Sequence, residues 1–212
     1  MKEIHHFFVI GLSYKASDID LRGKFSLNDS RQHALFLDAK EKKIKDLVII
    51  NTCNRTELCA WSKDIDILID LLCKHSKGNK MLFDQTGYSL EGEEAFHHLF
   101  RVGSGLESQI LGDFEIIGQI KQGFYRSKKM GLAQGCLERL INSVIQSSKR
   151  IKTETEISSG ATSVAFASVQ YILKYVVDVY SKNILLFGTG KIGTNTCENL
   201  IKHTQKDHIT LI

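Results

Sequence analysis

The hydrophobic pattern of this chain changes period twice, which restricts it to a sheet, then a set of helices, then a second small sheet. Residues 7–12 read as a buried strand. Ser26 and Asp29 form a candidate capping box for a helix reaching about residue 42. Residues 46–51 and 57–61 read as strands, 65–77 as a helix and 81–86 as a short strand. The order β-α-β-β-α-β predicts an α+β fold with an antiparallel, ferredoxin-like sheet. From residue 91 the period is helical. Ala95, Phe96, Leu99, Phe100 and Val102 form one stripe, and Leu137, Leu140, Ile141, Val144, Ile145 and Ile151 a second. After a break at residues 158–160, Val164, Ser168, Tyr171, Ile172, Val176 and Val179 form a third. Residues 183–187 read as a strand, 188–193 as a glycine-rich turn, a helix runs to about 202, and 208–212 form another apolar run.

Length sharpens this division. At about 150 residues per domain, 212 residues make roughly 1.4 domains. With 42% apolar and 25% charged residues, the chain has the make-up of a soluble globular protein. No apolar run reaches the ~18 residues of a membrane-spanning helix, so no membrane partner is expected. Proline is absent, so Gly, Asn, Asp and Ser must mark the boundaries. A net charge of +4 permits an RNA partner without arguing for one. Five cysteines with no CxxC pair, and a start without a signal-peptide core, point to free thiols in a cytoplasmic setting.

The sequence Gly188-Thr189-Gly190-Lys191-Ile192-Gly193 sits between a predicted strand and a predicted helix. In that context the first two glycines permit a tight turn close to a pyrophosphate, and the third lets helix and strand pack. The helix N-terminus offers unpaired N–H groups to phosphate oxygens. An ordinary glycine-rich strand–helix turn is the competing reading, and which dinucleotide would bind is not legible. Cys53 follows a buried strand in a polar turn with Thr52, Asn54 and Arg55. It is either a nucleophile, favoured as thiolate by the nearby guanidinium, or a packed strand-end cysteine. Cys59 reads as core, and Cys73, Cys136 and Cys197 as structural. His97 and His98 point about 100° apart on a helix, so one at most faces a site. The cysteine and histidine spacing does not suit zinc, and no metal is expected. Lys149, Arg150 and Lys152 read as a solvated face near a helix end.

Taken in order along the chain, several motifs resemble glutamyl-tRNA reductases. They are Val9-Ile-Gly-Leu-Ser-Tyr-Lys15, Asn51-Thr-Cys-Asn-Arg-Thr-Glu57, the run from His98 to Ser108, the run from Leu111 to Gln119, and Lys149-Arg-Ile-Lys-Thr-Glu-Thr155 with Ser163-Val-Ala. The resemblance implies that Cys53 attacks the ester carbonyl of glutamyl-tRNA to form a thioester, which NADPH reduces to glutamate-1-semialdehyde for tetrapyrrole synthesis. It implies that Thr52, Asn54 and Arg55 hold the glutamyl group, with Arg55 on its carboxylate. Ser108, Asp113, Phe114, Glu115 and Gln119 match further substrate positions, and His98 a histidine needed for activity. Gly188 to Gly193 would hold the NADPH pyrophosphate. The family further implies a homodimer through a C-terminal domain, and glutamate-1-semialdehyde aminomutase as a partner.

The chain departs from the family at Gly112-Asp-Phe-Glu115, where Gly-Glu-Pro-Gln is common, and at Lys191, where an acid is frequent. The resemblance predicts a catalytic domain over residues 1–158. Over 159–212 it predicts a linker helix and the truncated start of a Rossmann α/β domain. Two other readings stand beside this one: an esterase that hydrolyses glutamyl-tRNA, if the nucleophile is intact but no hydride site works, or a non-catalytic tRNA- or partner-binding relative.

Overall fold

The computed structural model describes residues 6–155, 157, 164–204 and 209–212. Its main sheet contains β1 (Phe7–Ser13), β2 (Leu47–Asn51), β3 (Arg55–Trp61) and β4 (Tyr88–Glu91), in the order β2-β3-β1-β4 with every neighbour antiparallel. All seven residues of β1 are buried because helices cover both faces of the sheet. Strand side chains alternate between faces, and the two faces carry separate cores. Phe8, Ile10, Leu12, Leu47, Ile49, Leu58 and Ala60 pack against one helical layer. That layer is α1 (Ile19–Phe25), α2 (Asp29–Glu41), α3 (Ile65–His75) and α4 (Lys80–Thr86). Phe7, Val9, Val48, Ile50 and Cys59 meet the other. It consists of α5 (Gly92–Gly103), α6 (Glu115–Lys129) and α7 (Gly135–Glu154).

Several boundaries differ from those read in the sequence. Residues 81–86 are helical, because the Asn79 side chain accepts the Leu82 N–H at 2.9 Å and starts α4. The fourth strand follows at Tyr88. Helix α2 is capped by Asn28, whose Oδ1 accepts the Arg31 N–H at 2.9 Å, so Ser26 is not the cap. Helices α1 and α6 are additional to those read in the sequence.

The edge strand β2 does not lie open. Its Leu47 N–H donates to the Leu132 carbonyl at 2.9 Å. Helix α6 crosses so closely that a Cβ on Gly123 would lie 2.3 Å from the Ile49 carbonyl oxygen. A second close approach is at Gly11, which is opposite Glu57 on one side and Tyr88 on the other. A Cβ there would lie 2.3 Å from the Thr56 carbonyl oxygen and 2.9 Å from the Glu57 Cγ. The missing side chain leaves the space through which Tyr88 reaches Glu57 across the strand between them.

The remaining residues form α8 (Val164–Tyr175), a 3-10 turn at Val179–Ser181, β5 (Ile184–Leu186), α9 (Lys191–Thr204) and β6 (Ile209–Leu211). Strands β5 and β6 pair in parallel with α9 between them in sequence, and α8 packs on α9. In α8 the buried residues include Ala165 and Val169, whereas Tyr171 and the following Val176 are exposed, so the expected stripe is rotated. The expected boundary at 158/159, Ser163 and His208 lie outside the described residues.

Candidate active site

Strand β2 ends at Asn51 and β3 begins at Arg55, leaving Thr52, Cys53 and Asn54 as the hairpin loop. Thr52 organises it from within. Its hydroxyl accepts the N–H groups of Asn54 and Arg55, both at 3.1 Å, and its own N–H donates to the Arg55 carbonyl at 2.8 Å. Asn51 fixes the end of β2 by exchanging two hydrogen bonds with the Leu27 backbone and accepting the Thr56 hydroxyl. With the loop backbone satisfied in this way, the Cys53 side chain is left exposed. The guanidinium that contacts the loop is that of Arg22, whose Nε donates to the Cys53 carbonyl at 3.4 Å.

Arg55 is buried. Only 3% of it is accessible, its Nη1 donates to Glu57 Oε1 at 2.7 Å, and its Nη2 donates to the Glu107 carbonyl. The guanidinium expected to meet a substrate carboxylate is here held by Glu57 and the Glu107 carbonyl. The same Glu57 oxygen accepts the Tyr88 hydroxyl and is 2.9 Å from His98 Nε2. Glu57 is fully buried, and its Oε2 has no hydrogen-bond partner among the described residues. Burial pushes its carboxyl upward, but the Arg55 charge and the His98 and Tyr88 contacts outweigh it and hold the group at about 2. Burial and the Glu57 charge together push the Tyr88 hydroxyl well above its usual value. His98 therefore faces inward, while His97 lies on the surface beside Glu93.

The segment after α5 folds back on this centre. Gly105 and Gly112 both have positive φ, and the Gly112 N–H donates to the Gly105 carbonyl at 3.1 Å, closing a loop around Glu107 and Ser108. Burial pushes the Glu107 carboxyl up, but its contacts with Lys15 and Arg101 prevail and lower it. Tyr14 joins the two loops: its N–H donates to the Asn54 carbonyl at 2.9 Å and its hydroxyl to the Ser108 carbonyl at 3.1 Å. Thr52, Cys53, Asn54, Arg55, His98 and Ser108 thus belong to one connected cluster. Asp113 accepts the Glu115 N–H at 2.9 Å at the start of α6, Phe114 lies under Lys152 at 5.6 Å, and Glu115 is exposed. Gln119 lines a cleft shared with Asn51.

Tyr14, Arg22, Glu57, Tyr88 and Glu107 join the site without having been singled out by the sequence. Arg55 and Glu57 do carry a signal, since charges two apart in a strand share a face, here an apolar one. Among the described residues no group of three or more His, Cys, Asp or Glu side chains could hold a metal ion.

The glycine-rich turn fits a nucleotide pyrophosphate. Gly188 has φ +110, and its N–H donates to the Ile212 carbonyl at 2.7 Å. A Cβ on Gly193 would lie 1.8 Å from the Gly188 carbonyl oxygen, so only glycine lets α9 start this close to the turn. The first N–H groups of this 14-residue helix have no partners within it.

Residues 10–155 match the family described as "Glutamyl-tRNAGlu reductase, N-terminal domain". Glutamyl-tRNA reductase of Christiangramia forsetii is 58% identical over 207 residues, covering 98% of this chain and 50% of that protein. Glutamyl-tRNA reductase 2 of Flavobacterium johnsoniae is 59% identical, covering 97% and 48%. The solved structure of glutamyl-tRNA reductase from Methanopyrus kandleri superimposes with a TM-score of 0.70 at 25% identity, covering 98% of this chain and 49% of that one. The chain spans about half the length of these relatives. Among the described residues no helix is long and apolar enough to cross a membrane.

Proposed function

Because this chain belongs to the glutamyl-tRNA reductase family, we propose that it captures the glutamyl group of glutamyl-tRNA on Cys53, opening the five-carbon route to porphyrins. The observation that carries this reading is the exposed Cys53 thiol, on a hairpin loop whose backbone is already hydrogen-bonded through Thr52. The Cys53 thiolate attacks the ester carbonyl, a C–S bond forms, and the ester C–O bond breaks. The electron pair goes to the ribose oxygen, which takes a proton as the tRNA leaves. Thr52, Asn54, Ser108, Asp113, Phe114, Glu115 and Gln119 surround the glutamyl group. Arg55 acts as a positioning residue through Glu57 and the Glu107 carbonyl. Glu57 fixes the His98 ring through Nε2, which leaves Nδ1 to exchange a proton in the site.

The chemistry that NADPH supplies, when held at Gly188, Thr189, Gly190, Lys191, Ile192 and Gly193, is hydride donation, yielding glutamate-1-semialdehyde and a free Cys53 thiol. The β-α-β-β-α-β order and strand sequence support the ferredoxin-like description of residues 1–158. The parallel β5-α9-β6 unit supports a Rossmann start within 159–212. In a longer protein we place this chain in a cytoplasmic homodimer that passes its product to an aminomutase.

Gly193→Ala is expected to weaken NADPH binding at least about tenfold, because the added methyl displaces the turn. Titration followed by NADPH fluorescence reads this directly, and unchanged affinity would remove these residues from the cofactor site. The whole reading is tested by incubating the chain with glutamyl-tRNA, with and without NADPH. Semialdehyde formed only with NADPH is the expected result. Free glutamate alone would make the chain an esterase. Neither product, with tRNA still bound, would make it a binding relative.

A further inference from the structure

A groove starts beside the Cys53 loop and runs between α2 and α6, polar in its first part and largely apolar beyond. Its first part is a cleft of about 440 Å³, within the range of about 300–1,000 Å³ typical of small-ligand sites. Ser26, Asn51, Gln119 and Gln122 line it, and its floor is where Gly123 crosses the Ile49 carbonyl. The Asn51 amide is committed to Leu27 and the Gln32 side chain to Leu27 and Arg126. Gln119 and Gln122 make no side-chain hydrogen bond among the described residues, so both amides remain able to donate and accept.

The groove then passes Arg126, held by Asp29 at 3.0 Å and by Gln32 at 2.9 Å. Beyond it lies a second hollow of about 180 Å³ that shares Asp29, Gln32 and Arg126 and adds His33, Phe36, Lys129 and Met130. The Lys129 ammonium lies 4.7 Å over the exposed Tyr125 ring, whereas Lys128 is paired with Glu138. Among the described residues, Asp29 is the one carboxylate lining either hollow. Along the groove, free amides therefore give way to a hollow floored by Phe36 and Met130, with the Arg126 guanidinium and the Lys129 ammonium at its edge.

We propose that this groove receives the single-stranded 3′ end of the RNA, with the last nucleoside in the amide-lined cleft and the preceding phosphates at Arg126 and Lys129. The inference rests on the Cys53 reading, because the group that leaves Cys53 is the ribose of the final nucleotide. Asn51 is two residues from Cys53, at most about 7 Å along the backbone, so a nucleoside attached to that ribose reaches the cleft. Amides match base edges, and cations with aromatic rings suit a flexible phosphate strand. Arg126 is held in place by Asp29 and Gln32, as a positioned phosphate contact requires.

The test measures binding of uncharged tRNAGlu, intact or lacking its last three nucleotides, by fluorescence anisotropy across a salt series. The 212-residue chain is compared with Arg126→Gln/Lys129→Gln and with Gln122→Ala/Lys129→Gln; the second pair alters only exposed side chains. For intact tRNA, Arg126→Gln/Lys129→Gln is expected to weaken binding about tenfold. It should also lower the slope of log K against log salt by about 0.7 for each phosphate no longer neutralised. Gln122→Ala/Lys129→Gln should weaken it less, and the shortened tRNA should bind all three proteins alike. Unchanged affinity of both variants for intact tRNA, or an equal loss with the shortened one, overturns the groove assignment. Acylation by a small aryl ester of glutamate separates the two readings. Both variants should react like the parent, and a parent chain that does not react overturns the Cys53 reading instead.

Discussion

Cys53→Ser is expected to lower the rate of tRNA release from glutamyl-tRNA by roughly 10⁴-fold or more, with little change in stability. In the proposed reaction the thiol is the group that bonds to carbon. A serine hydroxyl in its place would have no general base hydrogen-bonded to it among the described residues. Stability should stay within about 0.5 kcal/mol because the side chain is exposed and the loop is held by Thr52. The measurement is a quench of the parent chain with glutamyl-tRNA in the absence of NADPH, followed by mass spectrometry. A single glutamyl adduct on Cys53 is expected. None should form on the variant, although four cysteines remain. Cys59 is buried and its thiol pushed well up by that burial, and Cys73 is raised by partial burial and by Asp70 and Asp84. An adduct on the Cys53→Ser protein would show that the nucleophile lies elsewhere.

The second large effect concerns Glu57. Glu57→Leu removes the carboxylate facing a guanidinium that is 3% exposed, and leaves the Arg55 charge buried without that counter-ion. Breaking a buried pair on one side costs about 3–5 kcal/mol. At about 2–4 °C per kcal/mol for a chain of this size, the sheet-bearing unit should melt roughly 6–20 °C lower. Arg55→Met together with Glu57→Leu should recover most of that loss, since a well-packed apolar pair avoids the uncompensated charge. The sign of the pH effect follows from the lowered carboxyl. Its folded value of about 2 lies below the ordinary 4.5, so its stabilisation is complete above about 4.5 and disappears as pH falls toward 2. Acid titration of the parent should show this loss, and the Glu57→Leu protein should lack that part of the slope. Asp38 and Glu107, also lowered, continue to contribute in both. Equal acid sensitivity in the two proteins would contradict the assignment.

The three long strands of the main sheet and most of its long helices can be read from period and punctuation, because their buried faces are made of Ile, Val, Leu and Phe. Helix α6 cannot. Its inward positions are Ile116, Ile120, Gly123 and Ser127, so small residues occupy half of the stripe where close approach to β2 requires them. The run at residues 81–86 has enough apolar residues for a strand, yet only Phe83 is buried, and the Asn79 cap decides for helix. Cys53 and His98 are legible from motifs that resemble the family, whereas the geometry of adjacent helical residues says only that one of His97 and His98 at most can face inward. The placement of Arg55 is not legible, because its buried partner Glu57 depends on Gly11 and on two segments far along the chain.

The covering of β2 also governs how these residues behave in company. An edge strand with bare N–H and C=O groups templates the addition of another chain, and this one is apolar and ends beside the exposed Cys53. Leu132 takes the Leu47 N–H, and α6 lies over the Ile49 carbonyl. Strand addition at this edge is thereby hindered by the fold itself.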